Sequence, residues 1–138
     1  MAGGTPRASP RAVVVLAPGR GPRRFAFPGG YGRPWRNAVI VEIQCLAFPP
    51  GVEGDTYRHI EAAIRVIERS GLAYEVGALG TTLQGPADDV WRVAREAHEA
   101  VLAAGANGLV TVLKVEQARD PEAQPTIESL TGKWRAGA

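Results

Sequence analysis

The order in which two periodicities succeed one another constrains this chain more than any single motif. "AVIVEIQCLAF" (38–48) alternates with period 2, placing Val39, Val41, Ile43 and Cys45 on one face and Ile40, Glu42, Gln44 and Leu46 on the other. That is a strand, and "PPG" at 49–51 stops it. Apolar residues then recur at helical spacing (Ile60, Ala63, Ile64, Ile67), with Asp55 expected as the N-cap and Gly71 as the C-terminal glycine. Two short strands follow, 72–78 and 80–85, with almost no loop between them. Pro86 suits the first turn of a second helix, Asp88 and Asp89 complement its dipole, and Val90, Val93, Ala94, Ala97 and Val101 form its stripe up to Gly105. "GLVTVLKVE" (108–116) is a fourth strand, and "TIESLTGKW" (126–134) a short C-terminal helix. The order β-α-β-β-α-β predicts an α+β, ferredoxin-like domain over 37–138: a four-stranded antiparallel sheet with both main helices on one face.

Residues 1–36 read differently. They hold seven arginines, six of the eleven prolines and no acidic residue or lysine, whereas the rest of the chain carries nine basic residues against fourteen acidic. Without periodicity the stretch cannot bury enough apolar surface to offset its ordering entropy, so a disordered Arg/Pro/Gly-rich extension is expected. Its interleaving of Arg with aromatics matches the stacking-plus-charge pattern of single-strand binders. A plain unstructured tail is the preferred reading, and nucleic acid is not expected as a partner.

No stretch approaches the roughly 18 apolar residues of a membrane span, and "AVVVLA" (12–17) is shorter than a signal-peptide core of about 7–15 residues. The single cysteine, Cys45, excludes an internal disulfide, and no Cys/His cluster has zinc-ligand spacing. A cytoplasmic setting without membrane or metal is the expectation.

The uncovered sheet face raises the functional question. A central strand that places Glu42 between Ile40 and Leu46 suits neither a plain solvated face nor a plain apolar interface, because buried carboxylates need partners. Thr111 or Lys114, Tyr74, and one of Thr82 or Gln84 are the expected partners, and an oligomer whose sheet faces enclose a polar pocket is the favoured arrangement. The segment "YEVGALGTTLQG" (74–85) is unusually small and polar for a hairpin. Gly80 permits close backbone approach, and Thr81, Thr82 and Gln84 supply adaptable hydrogen bonding.

Four segments in order, "VIVEIQCLAFPPG", "YEVGALGTTLQG", "VWRVAREAHEAVLAAGA" and "LVTVLKVEQARD", resemble the small thiamine-binding proteins (YkoF-like) across Val39 to Arg119. The resemblance implies a non-catalytic protein, without cofactor, that self-associates as a homodimer or homotetramer. It would hold thiamine or its hydroxymethylpyrimidine moiety at a subunit interface on the open sheet face. The ligand contacts it suggests are Glu42, Gln44, Tyr74, Gly80, Thr81, Thr82, Gln84 and Lys114. The chain departs from the family pattern at Gln84, where an acidic residue is usual, and at Glu116 to Arg119, where more charge is usual.

Two alternatives stand beside it: an oligomeric interaction module, and a small cofactor-independent enzyme using Glu42 or Lys114 for proton transfer. Little else argues for catalysis. His59 and His98 fall on predicted helices, Cys45 on the helix-facing side of its strand, and no phosphate loop or dinucleotide fingerprint is present.

Overall fold

A computed structural model describes residues 38–135; the expectations for 1–36 lie outside the described residues. The alternating run becomes β1 (Val39–Phe48), followed by α1 (Arg58–Arg69), β2 (Ala73–Val76), β3 (Thr81–Gly85), α2 (Ala87–Ala103) and β4 (Gly108–Glu116). A short α3 (Ile127–Thr131) runs on into a 3-10 turn at Gly132–Trp134. The sheet is antiparallel throughout in the order β2-β3-β1-β4, the ferredoxin-like arrangement that the periodicities predict.

The core follows from the alternation in β1. Val39 and Val41 are fully buried and Ile43 nearly so, and the register sets Val41 beside Leu83 of β3. They pack with Val90, Val93, Ala97 and Val101 of α2 and Ala63 and Ile67 of α1 in one cluster. Each fully buried Val, Leu or Ile contributes about 1.5–3 kcal/mol relative to exposure, so this one face holds the helices to the sheet.

Three local expectations shift. Asp55 is not the cap of α1: it closes a small bridge with Val52, with N···O distances of 3.0 Å in both directions. The carbonyl of Pro50 serves the helix start instead, accepting from the N–H groups of His59 and Ile60 at 3.0 and 3.3 Å. Pro86 sits one residue before α2, in extended conformation, and its carbonyl accepts from Val90 N–H at 3.0 Å. Between β2 and β3 lies a four-residue connection, Gly77 to Gly80, closed by a 2.8 Å bond from Gly77 N–H to Gly80 C=O. Gly71, at φ +74°, ends α1 as expected, because the left-handed conformation disfavours a Cβ.

After β4 the chain returns across the face that α1 and α2 leave open. Gln124 Nε2 donates to Glu116 at 2.6 Å, and Thr126 and Ser129 cap α3 reciprocally. The Ile127 N–H then donates to Gln84 Oε1, and Arg135 pairs with Glu75 of β2 at 3.2 Å. Ile40 and Ile127 are 8% and 7% exposed yet stand outside the core cluster under the helices; they form a small second layer on the opposite face.

Candidate functional site

The sheet register decides which candidate residues share a face. Glu42 lies between Thr82 and Lys114, and Glu75 lies beyond Thr82, so one row across the open face reads Glu75, Thr82, Glu42, Lys114. Lys114 Nζ is 3.1 Å from Glu42 Oε1, with side chains 76% and 41% exposed. A pair that exposed contributes at most about 1 kcal/mol. The next row holds Ala73, Gln84, Ile40 and Glu116 and is roofed by α3. Further along, Leu46, Phe48, Val110 and Val112 form an exposed apolar patch on the same face.

The concave site is on the other side of the sheet. A cavity of about 490 Å³ opens between α1, the far half of β1 and the β2–β3 connection. Ile60, Ala63, Ile64 and Ile67 of α1 wall one side, Ile43 to Leu46 of β1 the second, and Gly77 to Thr81 the third. Tyr57 and Leu79, both largely exposed, stand at the mouth with Glu61, whose carboxylate is paired to Arg65 at 3.1 Å. Thr81 is 5% exposed, and among the described residues its hydroxyl has no hydrogen-bond partner. The hydroxyl oxygen is not among the fully buried unpaired atoms, so it keeps contact with solvent and is free to bond a ligand.

Glycine at 80 leaves room for a close approach to β1. A Cβ there would lie 3.2 Å from both Glu42 Cγ and the Ile43 carbonyl oxygen, tighter than an ordinary contact. The small, polar hairpin is thus explained twice: the glycines let its connection close against β1, and Thr81 lines the cavity.

His59, His98 and Cys45 are engaged within the fold. The buried His59 donates from Nδ1 to the Pro49 carbonyl at 2.8 Å, which fixes its tautomer. His98 Nδ1 is 2.6 Å from Thr111 Oγ1, and Thr111 Oγ1 is 3.9 Å from Cys45 Sγ. Burial pushes the Cys45 thiol above its ordinary value, with the Thr111 hydroxyl pulling the other way, so the neutral thiol is favoured. A second, shallower cavity of about 300 Å³ lies between α2 and β4, with Trp91, His98 and Leu113 in its lining. Among the described residues no His/Cys/Asp/Glu group is arranged to hold a metal ion, and no helix is long and apolar enough to cross a membrane.

Residues 41–132 match the family model described as thiamine-binding protein. The chain belongs to the thiamine-binding protein family. Among its relatives are a UPF0045 protein of Clostridium perfringens, 28% identical over 96 residues that span 69% of this chain and 95% of that one. A second, from Methanocaldococcus jannaschii, is 30% identical over 84 residues, 61% of this chain and 81% of the relative. Of solved structures, a domain of unknown function (DUF77) from Bacillus cereus superposes with a TM-score of 0.62 at 31% identity, covering 72% of this chain and 91% of that chain. A Thermotoga maritima protein assigned provisionally to thiamine biosynthesis or salvage superposes with a TM-score of 0.58 at 26% identity, covering 71% and 99%.

In this thiamine-binding family member seven of the eight residues singled out from sequence divide into two groups, and Tyr74 stands apart from both. Glu42, Thr82, Gln84 and Lys114 lie on the open face, and Gln84 spends its side-chain oxygen on α3. Gln44, Gly80 and Thr81 line the cavity, although alternation puts the Gln44 side chain on the open face beside Val112. Tyr74 was expected beside Glu42, but the register sets it opposite Leu83 and it packs on the helix side, against the main core. Thr81, opposite Ile43, is on that side too. The period-2 reading of β1 was sound; the phase of β2 relative to it depends on the length of the connection, which sequence does not supply. Tyr57, Glu61 and Ile64 at the cavity were not singled out. One signal for them was present: β1 is ten residues long and β3 five, so part of β1 must lack a neighbour on that side.

Proposed function

We propose that the protein is a non-catalytic binder of thiamine or its hydroxymethylpyrimidine moiety, with the ligand seated in the cavity between α1, β1 and the β2–β3 connection. The observation that carries this reading is the cavity itself: about 490 Å³, walled largely by aliphatic side chains, with Thr81 in its lining, whose hydroxyl is unbonded among the described residues. Such volume and lining suit a small flat heterocycle. The aminopyrimidine ring offers an acceptor nitrogen beside a donor amine, which Thr81 can meet in either sense. Tyr57 at the mouth offers an aromatic face, and the Glu61 carboxylate there balances the cationic thiazolium of thiamine.

The engagement of both described histidines within the fold, and of Glu42 with Lys114, supports binding without turnover. Isothermal titration of the full chain with thiamine and with hydroxymethylpyrimidine tests the proposal, with chromatography of the recovered ligand as the check on turnover. Saturable binding near one ligand per chain with the ligand recovered unchanged is expected; no heat with either ligand at several temperatures, or a chemically altered ligand, counts against it.

The exposed patch of Leu46, Phe48, Val110 and Val112 favours a second, compatible reading, self-association through the open face into a homodimer or homotetramer. In that assembly Glu42, Thr82 and Lys114 lie at the subunit interface rather than on the ligand. Light scattering of native chain and of Val110→Lys distinguishes the cases: a drop in mass for the variant is expected, and equal masses would remove this reading.

A further inference from the structure

Four consecutive residues of β1, Ile43, Gln44, Cys45 and Leu46, line the cavity. Side chains of a strand alternate between faces, so a wall made of four successive residues is the edge of the strand, its main chain. The register explains why that edge is bare. β3 pairs with β1 only as far as Ile43, opposite Thr81, whereas β4 runs beside β1 to Phe48. The β2–β3 connection then turns away, and the gap it leaves is the cavity.

Two contacts give the direction of the peptide groups along this edge. The Ile43 carbonyl oxygen lies 3.2 Å from where a Cβ on Gly80 would sit, so Ile43 faces the β3 side. The Phe48 carbonyl accepts from Asn107 N–H at 2.8 Å, so Phe48 faces the β4 side. Peptide groups alternate from one side to the other along a strand. Cys45, two residues after Ile43 and three before Phe48, therefore turns both its N–H and its C=O toward the cavity. Cys45 and Thr111 are consequently a non-hydrogen-bonded cross-strand pair, the kind whose side chains approach closely, and the 3.9 Å contact between Thr111 Oγ1 and Cys45 Sγ agrees. Among the described residues no turn, cap or side chain supplies a partner to the Cys45 main chain. The Thr81 hydroxyl, one strand away, likewise has no bond among the described residues, although its main chain is paired in the sheet.

We infer that this bare edge reads the ligand: the Cys45 N–H donates to a ring nitrogen and the Cys45 C=O accepts from the adjacent exocyclic amine of a 4-aminopyrimidine. The inference rests on the binding function proposed above and narrows it to a chemical class. A 4-oxopyrimidine presents the reverse pattern, N–H toward N–H and C=O toward C=O, and is rejected. Recognition belongs to the main chain, so the thiol of Cys45 contributes little. Free hydroxymethylpyrimidine and the pyrimidine half of thiamine share the recognised edge.

The test titrates the ¹⁵N-labelled full chain with hydroxymethylpyrimidine, with thiamine and with the 4-oxo analogue of hydroxymethylpyrimidine. At saturation with the amino ligands the Cys45 amide should shift, and its hydrogen exchange should slow by about tenfold or more. The 4-oxo analogue should bind about 10²-fold more weakly, the loss of two hydrogen bonds with the site's groups left unpaired. Cys45→Pro, which removes an N–H that serves no ladder, should lose about tenfold. Should the proline variant fail to fold, the native-chain exchange data decide. Binding with an unperturbed Cys45 amide, or equal affinity for the amino and oxo rings, overturns the edge inference while leaving the binding function standing. Absence of binding by both amino ligands overturns both.

Discussion

Replacing Thr81 by valine separates a ligand contact from a structural residue, because the two roles predict opposite signs. The residue is 5% exposed, and its hydroxyl has no hydrogen bond within the described residues but keeps contact with solvent, so the unliganded fold gains little from the oxygen. Valine has nearly the same shape, suits a strand and removes an unbonded hydroxyl. Stability of the free protein should therefore stay level or rise by up to about 1 kcal/mol, which for a domain of this size is a Tm increase of up to about 4–8 °C. Binding should weaken by the net worth of one hydrogen bond, about 0.5–1.5 kcal/mol, or about 2- to 13-fold in Kd. Thermal melts of the free chain and titration with hydroxymethylpyrimidine read the two terms independently. A fall in Tm would show that the hydroxyl is structural after all. An unchanged Kd with unchanged Tm would remove Thr81 from the ligand's surroundings and refute the reasoning that places the site here.

His59→Leu leaves the Pro49 carbonyl without its donor in a buried setting and should cost about 1–3 kcal/mol, read as a lower urea midpoint; an unchanged midpoint would refute this. Gln84→Ala removes the acceptor of the Ile127 N–H, so limited proteolysis should cut residues 117–135 faster while the core melt moves by about 1 kcal/mol or less. Cooperative unfolding of the whole domain instead would mean that α3 belongs to the core. At Gly51 an added Cβ overlaps the Asp55 carbonyl and the Thr56 main chain, so Gly51→Ala must displace the loop that brings Pro50 to α1 and should cost about 1–3 kcal/mol. The Cys45 thiol is held neutral by burial, so its contribution to stability is present below the unfolded thiol's pKa and declines as pH climbs past it toward the higher folded value. Cys45→Ala should flatten that alkaline decline in denaturant melts, and an identical slope in both proteins would contradict it.

The sequence by itself determined the topology. Period 2 in 38–48 and 108–116, period 3.6 in the two stripes between them, and Gly71 and Gly105 as stops leave the ferredoxin-like order as the short-loop, right-handed solution. It also fixed which face of β1 meets the helices, because one face is wholly apolar. It singled out Gly80, Thr81 and Gln44 for a ligand on the open face, whereas the cavity they line is on the helix side.

What only the tertiary structure decided is where that cavity lies and which neighbours share it. The phase of β2 against β3 put Tyr74 in the core, and the return of α3 across the sheet engaged Gln84 and covered Ile40. These depend on register and on a chain reversal, quantities set by contacts between residues far apart in sequence, so no local pattern carries them. The bare edge of β1 has the same origin: a strand's length is written in its own residues, but the point at which its neighbour departs is fixed by how the hairpin packs.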